Sequence, residues 1–135
     1  MAYFLVKSDP ETYGLSELER DGKTVWDGVK NPTAVRHIRS IKKGDKVLIY
    51  HTGDEKAVVG LGRAVGDGRP DPKDEKLAVF DLEFLARAQE PVTLKTIKSD
   101  ADTKDMDLVR IPRLSTMAVS ETAFRRICAL AGLKA

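Results

Sequence analysis

The segment Lys46 to His51 constrains the fold more than any other stretch of this chain. Val47 and Ile49 alternate with Leu48 and Tyr50, so an extended backbone there is apolar on both faces. Such a strand needs cover on both sides and belongs in the middle of a sheet. Around it the sequence predicts a mixed order of elements. Tyr3 to Val6 is short, aromatic and β-branched, and reads as an opening strand. Leu15 to Arg20 reads as one or two helical turns stopped before Asp21-Gly22. Asn31-Pro32 begins a helix, because Asn can cap free backbone N–H groups and Pro suits the first helical position. Ala34, Ile38 and Ile41 recur at helical spacing, and Gly44-Asp45 is the expected end.

After a turn at Thr52 to Lys56, Ala57 to Val65 returns as a strand, with Gly60 and Gly62 marking a bulge or close backbone contact. The Gly66 to Lys76 stretch, with Pro70 and Pro72, reads as a surface loop. Ala78 to Ala86 alternates, with Phe80, Leu82 and Phe84 on one face. Val92 to Ile97 reads as a short helix or turn, and Leu108 to Ile111 as extended. Ser120 caps a last helix whose stripe is Phe124, Ile127, Cys128 and Ala131, closed by Gly132. At least four strands and two or three short helices predict an α+β domain: a strongly twisted or barrel-like sheet with helices around it.

At 135 residues the chain fits one domain of the usual ~150. Apolar residues make up 41% and charged residues 33%, a globular balance. The N-terminal stretch does not read as a signal peptide, no apolar run matches a membrane span, and a reducing cytoplasm is the expected compartment. One cysteine excludes an internal disulfide and a thiolate zinc cage, and two histidines argue against a multi-His metal centre. No metal or cofactor is expected. Cys128 reads as a buried structural thiol, and His37 as a surface residue beside basic neighbours. His51 follows the central strand and either orients a ligand or is a satisfied core histidine.

The net charge of +2 says little, but its distribution says more. Residues 30–46 carry six cations (Lys30, Arg36, Arg39, Lys42, Lys43, Lys46) against Asp45 alone, a segment charge of +5 that leaves −3 for the rest. A basic cluster on an otherwise acidic protein fits a polyanion such as nucleic acid, and also fits an ordinary solvated face. Arg36, Arg39 and Lys43 fall together, away from the apolar stripe of their helix. Trp26, the one tryptophan, reads as lying on a loop before that helix. It either plugs the core or offers a flat face on which a base could stack, a contact worth about 1–3 kcal/mol. No Gly-rich phosphate loop, nucleophile elbow or zinc-protease motif is present.

Six short blocks, in order, carry a resemblance. Lys7-Ser8-Asp9-Pro10 is similar to the "KSEP" opening of EVE-domain proteins, and Trp26-Asp27-Gly28-Val29-Lys30-Asn31 to their "WDGVRN". Gly44-Asp45 with Tyr50-His51-Thr52 resembles "GD…YHS". Pro70-Asp71-Pro72, Pro91-Val92-Thr93-Leu94 and Arg113-Leu114-Ser115 match three more blocks. The resemblance, which spans nearly the whole chain, implies a single PUA-like domain over residues 1–135, related to YTH and ASCH domains. It implies a β-barrel of five to six strands wrapped by short helices, and a pocket for a modified cytosine or adenine in DNA or RNA.

Carried over, Trp26 is a wall of that pocket. Ser8 and Asn31 bond the base edge beside Lys7, and Asp27 accepts from an exocyclic amine. Tyr50 and His51 come from the strand beneath, and Arg113 and Ser115 meet the phosphate or the rim. The helix over 32–43, through Arg36, Arg39 and Lys43, would bind backbone phosphates. Two departures stand out. The aromatic that commonly follows the Asn is absent after Asn31, and a second Trp is replaced by Leu77-Ala78-Val79-Phe80. Tyr50, Phe80 or Tyr13 could supply the second ring. The expected function is a binding module, rather than an enzyme, that works with an effector protein. The alternatives are an ASCH-like amidohydrolase using Lys7, Tyr50 and Asp9 or Asp27 on a modified nucleoside, and a binder of a small ligand or a protein.

Overall fold

A computed structural model describes all residues from Met1 to Ala135. The chain runs β1 (Tyr3–Ser8), α1 (Pro10–Tyr13), α2 (Leu15–Asp21), β2 (Lys23–Trp26), α3 (Pro32–Ser40), β3 (Lys46–His51), β4 (Ala57–Ala64), β5 (Arg69–Asp71), β6 (Asp74–Thr93), α4 (Leu94–Ser99), α5 (Asp107–Arg110), β7 (Thr116–Val119) and α6 (Glu121–Ala131). Seven strands form one mixed, twisted sheet in the order β2-β6-β4-β3-β1-β7, with β5 paired to β6. The α+β class with short helices packed on a twisted sheet is the expected one. The ladder has more strands than expected and is open between β2 and β7. β1 and β3 are parallel, and the other pairs are antiparallel.

Strand β3 sits inside the sheet between β1 and β4. Its alternation divides as the sequence dictates. Leu48 and Tyr50 join a core built with α4, α5 and α6, through Ile97, Leu108, Phe124 and Ile127. Val47 and Ile49 join a second core with Leu15, Leu18, Val35 and Ile38 from α2 and α3. Both faces are covered, which is why the run carries no polar position between Lys46 and His51. The ladder shifts register at Val58/Gly60 and again at Leu61/Gly62. A Cβ at Gly60 would lie 2.7 Å from Leu15 Cδ1, so the glycine lets α2 approach the sheet.

The last helix matches its sequence signals. Ser120 Oγ accepts from the Ala123 N–H, the apolar stripe is buried, and Gly132 closes it in the left-handed region at φ 71°. Four expectations are corrected. The helix at Pro32 ends at Ser40, with Ile41 as its cap, so Lys43 lies in the following turn. Within the 66–76 loop, β5 and the start of β6 form a hairpin, tied by Arg69 to Asp81 at 3.2 Å. The 108–111 segment is the helical turn α5, whose Arg110 and Ile111 N–H groups bond back to Met106 and Asp107 while Leu108 is buried. Trp26 ends a strand, opposite Phe80 of β6, instead of lying on a loop.

Candidate nucleic-acid interface

Several family-like blocks turn out to build the backbone. Asn31 Oδ1 accepts from the Thr33 and Ala34 N–H groups at 2.9 and 3.1 Å, which caps α3. Buried Asp45 accepts from the Ala2 and Lys42 N–H groups at 3.1 and 2.9 Å, while Gly44 turns at φ 93°. Asp9 caps α1 by accepting from the Glu11 N–H at 2.9 Å, and Pro10 opens that helix. The Asp9 cap and Pro10 follow directly on β1, and the Ser8 hydroxyl at the strand end donates to the carbonyl of Tyr13, the last residue of α1. Gly28, at φ 76°, then bends the chain after β2.

The result is a cleft of about 480 Å³. Lys7 and Ser8 of β1, Thr12 and Tyr13 of α1, Thr24 to Trp26 of β2, the Asp27 to Lys30 loop and Ser115 line it. Of the residues picked out from the sequence, the fold thus gathers Lys7, Ser8, Trp26, Asp27 and Ser115. Trp26 is half-buried, with part of its ring against the α2/α3 core and part on the cleft. Tyr13 stands nearly perpendicular to it, with ring centroids 6.5 Å apart and an interplanar angle of 77°. Its phenol donates to Asp21 Oδ2 at 2.8 Å, and Arg20 grips the same carboxylate. Burial, with the Asp21 carboxylate behind it, pushes the Tyr13 phenol pKa up.

The polar groups divide by what they are already bound to. The Ser8 hydroxyl donates to the Tyr13 carbonyl, so its lone pairs are what it can offer a ligand. Lys7 Nζ donates to the Pro112 carbonyl at 2.7 Å and lies 5.8 Å from the Tyr50 ring centroid, and burial lowers its pKa. Asp27 is exposed beside Trp26 on the cleft, and its carboxylate takes part in no side-chain hydrogen bond or ion pair. The cleft therefore offers an aromatic face, an open carboxylate acceptor and two ammonium groups, Lys7 and Lys30. It holds no cluster of metal-ligating side chains.

Asn31, Tyr50, His51 and Arg113 do not line the cleft. Asn31 spends its acceptor on the helix cap. Tyr50 is 4% exposed and packs in the α6-side core. His51 is bonded at both ring nitrogens. Nε2 accepts from the Leu15 N–H at 3.0 Å, which puts the proton on Nδ1, 2.7 Å from Glu55 Oε1. It is the satisfied core histidine of the two readings. Arg113 is exposed between α5 and β7. Of the basic set, Arg36 donates to Thr33 Oγ1 at 3.1 Å, and Arg39 to the carbonyls of Glu75 and Lys76 at 3.2 and 3.1 Å. Both are exposed on α3, which starts just beyond Lys30 on the cleft rim. Thr24 and Val25 of β2, with Thr12 of α1 and Val29 of the following loop, also line the cleft; β2 is only four residues long, too short for its pattern to stand out in the sequence.

A family model described as the EVE domain matches residues 2–130. The chain belongs to the EVE-domain family. Rat thymocyte nuclear protein 1 is 24% identical over 164 aligned positions, covering 95% of this chain and 73% of the rat protein. A crystal structure of an Agrobacterium tumefaciens protein superposes with a TM-score of 0.94 at 30% identity, over 98% of this chain and 94% of that one. The human THYN1 protein, solved in complex with DNA containing 5-methylcytosine, superposes with a TM-score of 0.90 at 22% identity over the full length of both chains. At that identity the likeness is one of fold, and this EVE domain shares the architecture throughout.

Proposed function

We propose that this EVE domain binds nucleic acid carrying a modified base, of the cytosine or adenine type, and takes that base into the Trp26 cleft. The observation that carries the reading is the pairing of a half-buried tryptophan face with the unbonded Asp27 carboxylate in one concave site. Extruding a base from a duplex costs a few kcal/mol, and stacking on an aromatic ring recovers roughly 1–3 kcal/mol of that. Cytosine and adenine both present an exocyclic amine donor, which a carboxylate accepts and a plain carbonyl edge does not match. The 5-methylcytosine DNA bound by human THYN1 supports the cytosine side of this reading. Lys7 and Lys30 at the cleft, with Arg36 and Arg39 beyond it, suit the flanking phosphates, a contact that sets position without reading sequence. Of the hydrolase alternative's set, Lys7, Asp9 and Asp27 line the cleft, while Tyr50, whose ring centroid lies 5.8 Å from Lys7 Nζ, is buried in the core and does not.

Trp26 is the one tryptophan, so its emission reports the site directly. Titration with a short DNA carrying 5-methylcytosine should quench it at lower concentration than the plain sequence does, with the oligonucleotide recovered unchanged. Emission that responds to no modified or plain oligonucleotide overturns the reading.

A further inference from the structure

Apart from the terminal Met1, two large apolar side chains are exposed on this protein, Val25 at 46% and Ile111 at 44%. Val25 lines the Trp26 cleft. Ile111 stands in the turn between α5 and β7, next to Pro112, whose carbonyl is held at 2.7 Å by Nζ of the cleft residue Lys7. The turn is braced on both sides of Ile111. Its N–H donates to the Asp107 carbonyl at 2.7 Å, and its own carbonyl accepts from the Leu114 N–H at 3.0 Å. The Ile111 side chain belongs to neither core, so packing does not account for an isoleucine at this point. Arg110 and Arg113 flank it, both exposed, and their guanidinium groups take part in no hydrogen bond or ion pair within the chain. An apolar tip between free arginines suits a duplex with an opened stack. Arginines take phosphates, and apolar side chains, isoleucine among them, insert between base steps. Drawing a base out leaves a gap in the stack, and an apolar group in that gap offsets part of the unstacking cost. We infer that Ile111 is such a wedge, filling the gap left by the base that enters the Trp26 cleft, and that the form of nucleic acid this domain takes is a paired duplex. The inference rests on the proposed base-binding reading and goes further by naming the residue that supports the opened strand.

Ile111→Ala removes the exposed apolar tip and leaves both cores intact. With each buried carbon worth about fourfold, and the side chain already half covered, the loss on a paired duplex should be about tenfold. The test measures binding of the wild type, Ile111→Ala and Ile111→Leu to three DNAs at one salt concentration, with thermal unfolding as a check of fold. The DNAs are a single strand with 5-methylcytosine, the same strand paired with guanine opposite the modified base, and the same strand with adenine mispaired opposite it. Ile111→Ala should lose affinity for the paired duplex, lose less for the mispaired one, whose base is easier to extrude, and bind the single strand as the wild type does. Ile111→Leu keeps an apolar wedge and should follow the wild type throughout. An Ile111→Ala protein that binds the paired duplex as the wild type does overturns the inference. So does an equal loss on duplex and single strand, which marks an ordinary contact, and so does a wild type that binds the single strand and not the duplex. All three outcomes leave base binding at Trp26 standing. A wild type that binds methylated and plain single strands alike removes the base-binding reading and this inference together.

Discussion

The imidazole of His51 accepts a hydrogen bond from the backbone N–H of Leu15, 3.0 Å away. That bond fastens the start of α2, two residues after Tyr13 at the end of α1, to the end of the central strand. His51→Ala leaves the buried Leu15 N–H without a partner, a loss of about 1–3 kcal/mol. Urea unfolding should show a lower midpoint with an unchanged slope. An unaltered midpoint would show that the bond contributes nothing.

Thr116 is fully buried on β7, and its hydroxyl has no hydrogen-bond partner. Thr116→Val replaces that hydroxyl with a methyl group of the same shape and keeps the β-branched side chain a strand favours. Stability should rise by about 1 kcal/mol, read as a higher melting temperature. A lower one would mean that the hydroxyl is solvated after all.

Cys128 lies in the α6 core, and burial pushes its thiol up from 9.0 to about 11. The folded state disfavours the thiolate, and the unfolded chain ionises first. Stability should therefore be unaffected below pH 9 and should fall between 9 and about 11, the window the raised value sets. In Cys128→Ala that alkaline slope should be reduced. A thiol reagent at pH 8 should label the native protein no faster than it unfolds; rapid labelling would contradict the burial.

Arg36 and Arg39 project from α3 beyond the cleft rim at Lys30. If they contact phosphates, the double variant Arg36→Ala/Arg39→Ala should weaken binding equally for all sequences. The slope of log affinity against log salt should flatten by about 0.7–0.9 per lost contact. An unchanged slope would take α3 out of the interface. The same measurement on Lys43→Ala separates the turn from the helix.

What could be read from the sequence follows element length. β3 and α6 carry enough residues to show a period, and their ends are marked by Gly44, Ser120 and Gly132. β2, β5, α5 and β7 have three or four residues each. Their conformation is set by partners far along the chain, such as Trp26 opposite Phe80 and Val6 opposite Thr116, which local pattern does not reveal. For the site, the family resemblance led to Trp26, Asp27, Lys7, Ser8 and Ser115. It also singled out Asn31 and His51, whose polar atoms hold α3 and α2 in place instead of lining the cleft. Tyr13 entered only as one of three candidate rings, and its place beside Trp26 depends on the turn that Asp9 and Pro10 impose.

The central claim is that Trp26 receives a modified base. It is tested most directly by the affinity of wild type, Trp26→Phe and Trp26→Ala for matched DNA strands with cytosine or 5-methylcytosine, at one fixed salt concentration. The account predicts a preference for the methylated strand in the wild type, a weaker one in Trp26→Phe and none in a folded Trp26→Ala, with residual binding that stays salt-sensitive. An undiminished preference in Trp26→Ala would contradict it.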